Sequence, residues 1–241
     1  MAKTNRQIVL DHIPQGRLGP EHFRLTAAPV PRPGDGEIQL RTLYISLDAA
    51  NRAWMSGTTY RSALSAGQLM AGGALAEVTE SRAPGFARGD LVFGDLGWQE
   101  LAVLPARHLT KLAPAEPITH LLSVYGVAGL TAHFGLLECG KPRRGDTVVV
   151  SAAAGSVGNI VGQIAKIKGC RTVGIAGGAA KCALLTQELG FDQAVDYRAG
   201  DCARAVRAAC PDGVDGFEKL PVALIGLLAG DNIGKRMVKV A

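Results

Sequence analysis

Hydrophobic and polar positions change their period once along this chain. Up to about residue 120 they alternate in short runs. "GEIQLRTLYISL" (36–47) contains a β-prone alternating run, preceded by the turn-rich "PRPGDGE". "GGALAEVTES", "GDLVFGDLGWQELAVL" and "HLTKL" repeat the style, with Gly, Pro and Asp between strands. This pattern predicts a partly open barrel of antiparallel strands over residues 1–116.

From Pro117 the texture becomes helical and then mixed. "ITHLLSVYGVAGLTAHFGLLECG" is long and apolar, ends in Gly140, and predicts a helix. In "RRGDTVVVSAAAGSVGNIVGQIAKIKGCRTVGIAGGAAKCALLTQELGFDQAVDY", β-branched runs alternate with helical ones. That order predicts a βαβαβ unit with a parallel sheet. The fold class is therefore α/β, a barrel-like domain followed by a Rossmann-type sheet domain over residues 117–216.

Composition narrows the class. The 241 residues are 47% hydrophobic and 20% charged, the balance of an ordinary globular protein. No apolar stretch reaches the ~20 residues of a membrane span, and "MAKTNRQIVLDHIP" has no apolar signal core. A cytoplasmic protein without a membrane partner is expected. The 26 Lys and Arg are scattered among 21 acids, for a net charge of +5. No run of like charge argues for nucleic acid, and a basic pocket for a small anion explains the excess more simply. Cys139, Cys170, Cys182, Cys202 and Cys210 form no CxxC pair, and the five histidines lie apart from them. The cysteines are expected to be small buried hydrophobes rather than metal ligands.

The chemistry concentrates in "DTVVVSAAAGSVGNIVGQIAK". A strand over 147–151 feeds a turn of tiny residues, and a helix begins near Ser156 with Ile160, Ile164 and Ile167 on one face. Ala153, Gly155 and Gly158 occupy the three glycine positions of the dinucleotide fingerprint. The second glycine lets a pyrophosphate approach the backbone, and the third lets helix and strand pack closely. The free N–H groups of a helix start favour phosphate. About 20 residues further on, such folds place an acid to hold the adenosine ribose. Counting from Gly158 reaches Gly177, in "VGIAGGAAKC" (173–182). Without an acid nothing repels a 2′-phosphate, and Lys181 lies in the next turn as a point charge. The residues favour NADP(H) over NAD(H).

With these motifs in view, the chain resembles the zinc-independent medium-chain dehydrogenase/reductases. It is most similar to their prostaglandin reductase, leukotriene hydroxydehydrogenase, alkenal reductase and curcumin reductase group. The resemblance is carried by "YGVAGLTAHFGLLECG", by the AAxGxVG-xxxGQxAK-xxGC block (152–170), by "GDLGWQELAV" and "AWMSG", and by the tail "GFEKLPVALIGLLAGDNIGKRMVKV". It implies a catalytic domain, a Rossmann domain, and NADPH as hydride donor to the β-carbon of an α,β-unsaturated ketone or aldehyde. By position, Gly155, Ser156, Val157 and Gly158 would hold the pyrophosphate and Lys181 the 2′-phosphate. Tyr197 would meet the adenosine end, and Asn232 would reach the cofactor from the C-terminal segment. Residues 217–241 are expected to form a helix and a strand returning to the catalytic domain. The zinc members' early cysteine is absent from "YISLDAANRAWM". A small hydrophobic enone is the implied substrate; a quinone reductase and a non-catalytic NADP(H)-binding remnant are the alternatives.

The chain departs from the family twice. A family DPYMR motif reads "DAANR" here, with Ala50 at the tyrosine position. Arg52 and Tyr60 are the remaining candidates to orient a substrate carbonyl. The second departure is "PDGVDGFEKLP", which joins the start of a fourth Rossmann strand to the start of the last helix. On the family pattern, about a hundred residues are missing near residues 214–216, estimated at ~30 per βαβ unit. Such a deletion shortens the sheet, exposes an edge and removes one wall of the nicotinamide pocket. Weak or absent turnover is then expected, and the family homodimer is not.

Overall fold

A computed structural model describes residues 4–210 and the backbone of residues 239–240. The chain divides into two compact units, Met1–Leu122 and Ser123–Ala241.

The N-terminal unit is antiparallel. β1 (Thr4–Leu10) and β2 (Phe23–Pro29) form a ribbon in which Thr4 faces Pro29 and Leu10 faces Phe23. β3 (Glu37–Ile45) leads into a short helix, α1 (Ala49–Trp54). β4 (Gly73–Ser81), β5 (Leu91–Asp95), β6 (Leu101–Pro105) and β7 (Thr110–Leu112) complete a sheet of order β6-β3-β4-β5-β7. β6 crosses back to pair with β3 and β7 pairs with β5; among the described residues β6 and β7 are the edges and do not pair, so the sheet is open. The predicted alternation sets the core. Ile38 and Leu40 of β3 are fully buried, beside Ala74, Ala76 and Val78 of β4 and Val92 of β5. At the start of α1 the Asn51 carbonyl oxygen accepts from Asp48 N–H at 2.6 Å, while its amide donates to Ala71 O. Ala50 packs against a smaller cluster of Leu10, Trp54, Met55 and Met70.

The C-terminal unit has helices on both faces of a mostly parallel sheet. α2 (Val127–Phe134) runs on through a wide helical turn at Gly135–Gly140. The predicted long helix is interrupted, because residues 123–126 turn before α2 begins. Gly129 allows that turn, since a Cβ there would stand against the Val124 carbonyl. β8 (Thr147–Val150), α3 (Ser156–Ile167), β9 (Arg171–Ala176), α4 (Ala179–Ala183), β10 (Gln193–Asp196) and α5 (Cys202–Ala209) follow. β8, β9 and β10 pair in parallel. β11 (Lys239–Val240) lies antiparallel on the other edge of β8, giving the order β10-β9-β8-β11.

Side-chain alternation sorts the two faces. Val149, Val173 and Val195 face α5, where they meet Val206 and Ala209. Val150 and Ala176 belong to the opposite cluster, with Leu136, Val161, Ala165 and Phe191. α3 reaches that cluster through small residues. Gly158, Val161, Gly162 and Ala165 are its buried positions, and a Cβ on Gly162 would lie 2.0 Å from the Phe191 ring. Ile160 and Ile164 are only half-buried, and Ile167 is 84% exposed. The isoleucines flank the contact because the helix lies too close to the sheet for them. Cys170 and Cys210 are buried and Cys182 and Cys202 half-buried, as expected for small hydrophobes, whereas Cys139 is exposed. No helix among the described residues is long and apolar enough to cross a membrane.

Candidate functional site

Two turns at the carboxyl ends of β8 and β9 hold most of the residues singled out in the sequence. The first lies between β8 and α3. Ala152 takes a left-handed backbone conformation, with φ of 48°. Its carbonyl oxygen accepts from Gly155 N–H at 2.8 Å. Ala153, fully buried, donates its N–H to Ile175 O at 3.0 Å and ties the turn to β9. The helix then starts with almost no clearance. A Cβ on Gly158 would stand 2.4 Å from Ala152 O and 2.9 Å from Ala153 Cα. One on Gly155 would stand 3.0 Å from the same oxygen. Gly155 is extended, and no side chain caps α3. Val157 packs inward while Gly155 and Ser156 are exposed. The result is a helix start without a side-chain cap, its first backbone N–H groups flanked by Gly155 and Gly158.

The second turn follows β9. Gly178 has φ of 94°, a region that L residues rarely adopt. Its N–H donates to Asp196 Oδ1 at 2.9 Å. The same oxygen accepts from Arg198 N–H at 2.9 Å. The backbone N–H groups of Gly178 and Arg198 hold the Asp196 carboxyl below the usual carboxylate range. Tyr197 N–H donates to Ala176 O at 3.1 Å, which lays the tyrosine over the glycine pair. A Cβ on Gly177 would meet Tyr197 Oη at 2.7 Å and two ring carbons at 2.8 Å. The ring itself is half exposed. Lys181 is exposed in α4 and makes no ion pair among the described residues. Gly177, Lys181 and Tyr197 thus form one corner, although 16 to 20 positions separate the tyrosine from the other two.

A third tie fixes the strands beneath. Burial pushes the Asp192 carboxyl up, but Lys166 and the Thr172 N–H and hydroxyl outweigh it, and the net shift is downward. Asp192 bonds Lys166 Nζ at 2.7 Å and Thr172 N–H at 2.7 Å, joining α3, β9 and the approach to β10. Burial also pushes the thiols of Cys170, Cys182 and Cys202 up, so these three are poor nucleophiles.

Arg52 and Tyr60 belong to the N-terminal unit. Arg52 is consumed by structure: its guanidinium donates to Ser56 Oγ, to Gly16 O at 3.1 Å and to Pro14 O at 3.4 Å. Tyr60 is 81% exposed, standing edge-on to Trp54 with ring centroids 6.0 Å apart. Arg61 covers the Trp54 ring at 4.7 Å and pairs with Asp95 at 2.7 Å. Asn232 lies outside the described residues. Asp196 and Arg198 escaped the sequence reading; their only signal was an acid and a base flanking the tyrosine of "VDYR".

Two crevices are present among the described residues. One, of about 530 Å³, runs between β10 and α5, past Asp196, Asp201 and Arg204. The other, of about 470 Å³, lies in the N-terminal unit against Leu25, Tyr44, Ile45 and Trp98. Neither contains a residue of the glycine turn, whose bare backbone faces outward. Among the described residues no three His, Cys, Asp or Glu side chains gather as metal ligands would.

Comparison with known proteins agrees with this geometry. A family profile described as "N-terminal domain of oxidoreductase" matches residues 6–112, and one described as "Zinc-binding dehydrogenase" matches residues 156–217. The chain is 45% identical over 216 residues to the NADPH-dependent curcumin reductase of Escherichia coli (strain K12), covering 88% of this chain and 62% of that protein. It is 40% identical over 200 residues to prostaglandin reductase 1 of Mus musculus, covering 80% and 58%. The crystal structure of CurA from Vibrio vulnificus in complex with NADPH superposes with a TM-score of 0.82 at 40% identity, covering 87% and 63%. The chain therefore spans only about three fifths of the length of these relatives. From the two matched profiles, the shared fold and these identities, the chain belongs to the medium-chain dehydrogenase/reductases, in the group of curcumin, prostaglandin and alkenal reductases.

Proposed function

We propose that this chain binds NADP(H) across the two turns and serves the reduction of the C=C bond of α,β-unsaturated ketones or aldehydes. The observation that carries the reading is the pairing of a helix start with no room for side chains and a neighbouring corner with a lysine and no free acid. The uncapped N–H groups of α3 and the positive end of its dipole suit a pyrophosphate. Gly155, Ser156, Val157 and Gly158 would supply that contact. At the second corner the nearest carboxylate, Asp196, is turned to the backbone by two hydrogen bonds. It leaves the 2′ position to Lys181, with Tyr197 beside it. Asn232 is proposed to reach the cofactor from the C-terminal segment.

When bound, NADPH supplies the hydride that adds to the substrate β-carbon. The enolate left by that addition needs hydrogen-bond donors at its oxygen and a proton at its α-carbon. Arg52 is committed to the loop at Pro14 and Gly16, and only Tyr60 of the two sequence candidates presents a free side chain. The substrate class is supported by the names of the relatives, which are curcumin, prostaglandin and 2-alkenal reductases.

The test is a titration of the 241-residue chain with NADPH and NADH, following nicotinamide fluorescence. The reading expects NADPH to bind at least roughly tenfold more tightly, the worth of one charge-assisted hydrogen bond. Equal binding, or none, would overturn it. Oxidation of bound NADPH by an enone completes the reading. A cofactor that binds but is never oxidised identifies a binding module, and oxidation by quinones alone identifies a quinone reductase.

A further inference from the structure

We infer that Arg198 is a second cation for the cofactor's 2′-phosphate and acts with Lys181 as a two-sided clamp. The inference rests on the NADP(H) reading above and assigns the selectivity of that corner to a residue which the glycine fingerprint does not reach.

Three observations place Arg198 there. Its backbone N–H is bonded to Asp196 Oδ1, the atom that also holds Gly178 N–H, so one carboxylate oxygen fixes both sides of the corner. Its guanidinium lies over the Tyr197 ring, 5.6 Å from the centroid. That ring in turn covers Gly177. Tyr197 thus lies against both Gly177 and Arg198, with Lys181 in the helix that begins beyond Gly178. Arg198 is exposed and makes no ion pair with a carboxylate side chain among the described residues. The Asp196 carboxylate accepts two backbone N–H groups through Oδ1 and attracts the Arg198 guanidinium without forming an ion pair with it, which leaves the guanidinium N–H groups available. An arginine stacked on an aromatic face keeps its planar fork free, and that fork matches a phosphate better than an ammonium does.

The test uses only the adenosine half of the cofactor, which keeps it independent of the nicotinamide pocket. Adenosine 2′,5′-bisphosphate and 5′-AMP are titrated calorimetrically into the full chain, at low and at raised salt. The wild type is expected to prefer the bisphosphate. Arg198→Gln is expected to weaken the bisphosphate by roughly three- to tenfold and to reduce the salt dependence, leaving 5′-AMP unchanged. Lys181→Gln should do the same independently. An unchanged bisphosphate affinity in Arg198→Gln would overturn the inference, and so would an equal loss of both ligands, the mark of a merely structural role. If Lys181→Gln alone abolishes the preference, the clamp fails while the cofactor reading stands. If the wild type shows no preference, the cofactor reading itself fails and takes the clamp with it.

Discussion

The two turns solve neighbouring problems by different means. At the β8–α3 turn the backbone decides: a Cβ on Gly158 would stand only 2.4 Å from Ala152 O, inside contact distance. At the β9–α4 corner the side chains decide: Tyr197 covers Gly177, Asp196 is absorbed by the backbone, and Lys181 and Arg198 stay exposed. The first turn is a steric device and tolerates almost nothing. The second is a device of charge placement and is open to revision. On the proposed reading, recognition of a dinucleotide and choice between two dinucleotides would lie on separate elements, and substitutions should separate them.

The largest effect is expected at the steric turn. Gly158→Val drives a branched side chain into the Ala152 carbonyl. Thermal or denaturant unfolding should show a loss of about 2–3 kcal/mol, the scale of overpacking in a tight site. NADPH and NADH should be lost together. Retention of either cofactor at wild-type affinity would mean that this turn does not carry the pyrophosphate.

The corner should respond in the opposite way, with selectivity changing more than stability. Gly177→Asp restores an acid at the end of β9, but its Cβ needs the space held by Tyr197. The ratio of NADPH to NADH affinity is expected to fall by roughly tenfold or more, because a carboxylate beside a phosphate is repulsive. Adding Tyr197→Ala should clear that space and recover NADH binding without recovering NADPH. A double variant that still prefers NADPH would sink the assignment of selectivity to this corner.

Acid should bring the smallest change. The Asp196 pKa is depressed in the folded chain by the N–H groups of Gly178 and Arg198. Its contribution is therefore fully present above the unfolded value of about 3.9 and is lost as the pH falls through the lower, folded value. Asp196→Asn keeps an oxygen acceptor and removes the titration. Melting temperatures measured below about pH 4 should then fall less steeply in the variant than in the wild type. Parallel curves would show that the carboxylate charge does not matter to the corner.

The sequence made the strands, the glycine turn and the absence of an acid at Gly177 legible, because each depends on residues close in the chain. Val173 to Ala176 falls within β9, and the helix after Gly155 begins at Ser156. Contacts between distant residues were not legible. Nothing local shows that Phe191 fills the space over Gly162 or that Ile167 is exposed. Nor does local pattern show the Val124 carbonyl crossing Gly129, or Arg52 closing the loop at Pro14 and Gly16. Tyr197 came from family resemblance, and only the parallel pairing of β9 with β10 explains why it meets Gly177. Arg198 went unread for the same reason.

Ala152 carries a consequence for how such turns are recognised at all. A left-handed alanine costs about 1–2 kcal/mol in the folded chain, and glycine would release it. Glycine would also give the unfolded chain more freedom, a loss of about 0.4–1 kcal/mol. The strain is the larger of the two, so the turn keeps alanine at position 152 at a net cost of about 1 kcal/mol. Counting glycines therefore undervalues this turn. The hard requirement is the pair of positions where a Cβ has nowhere to go, and a search that weighted Gly158 above the rest would find relatives that a uniform glycine pattern passes over.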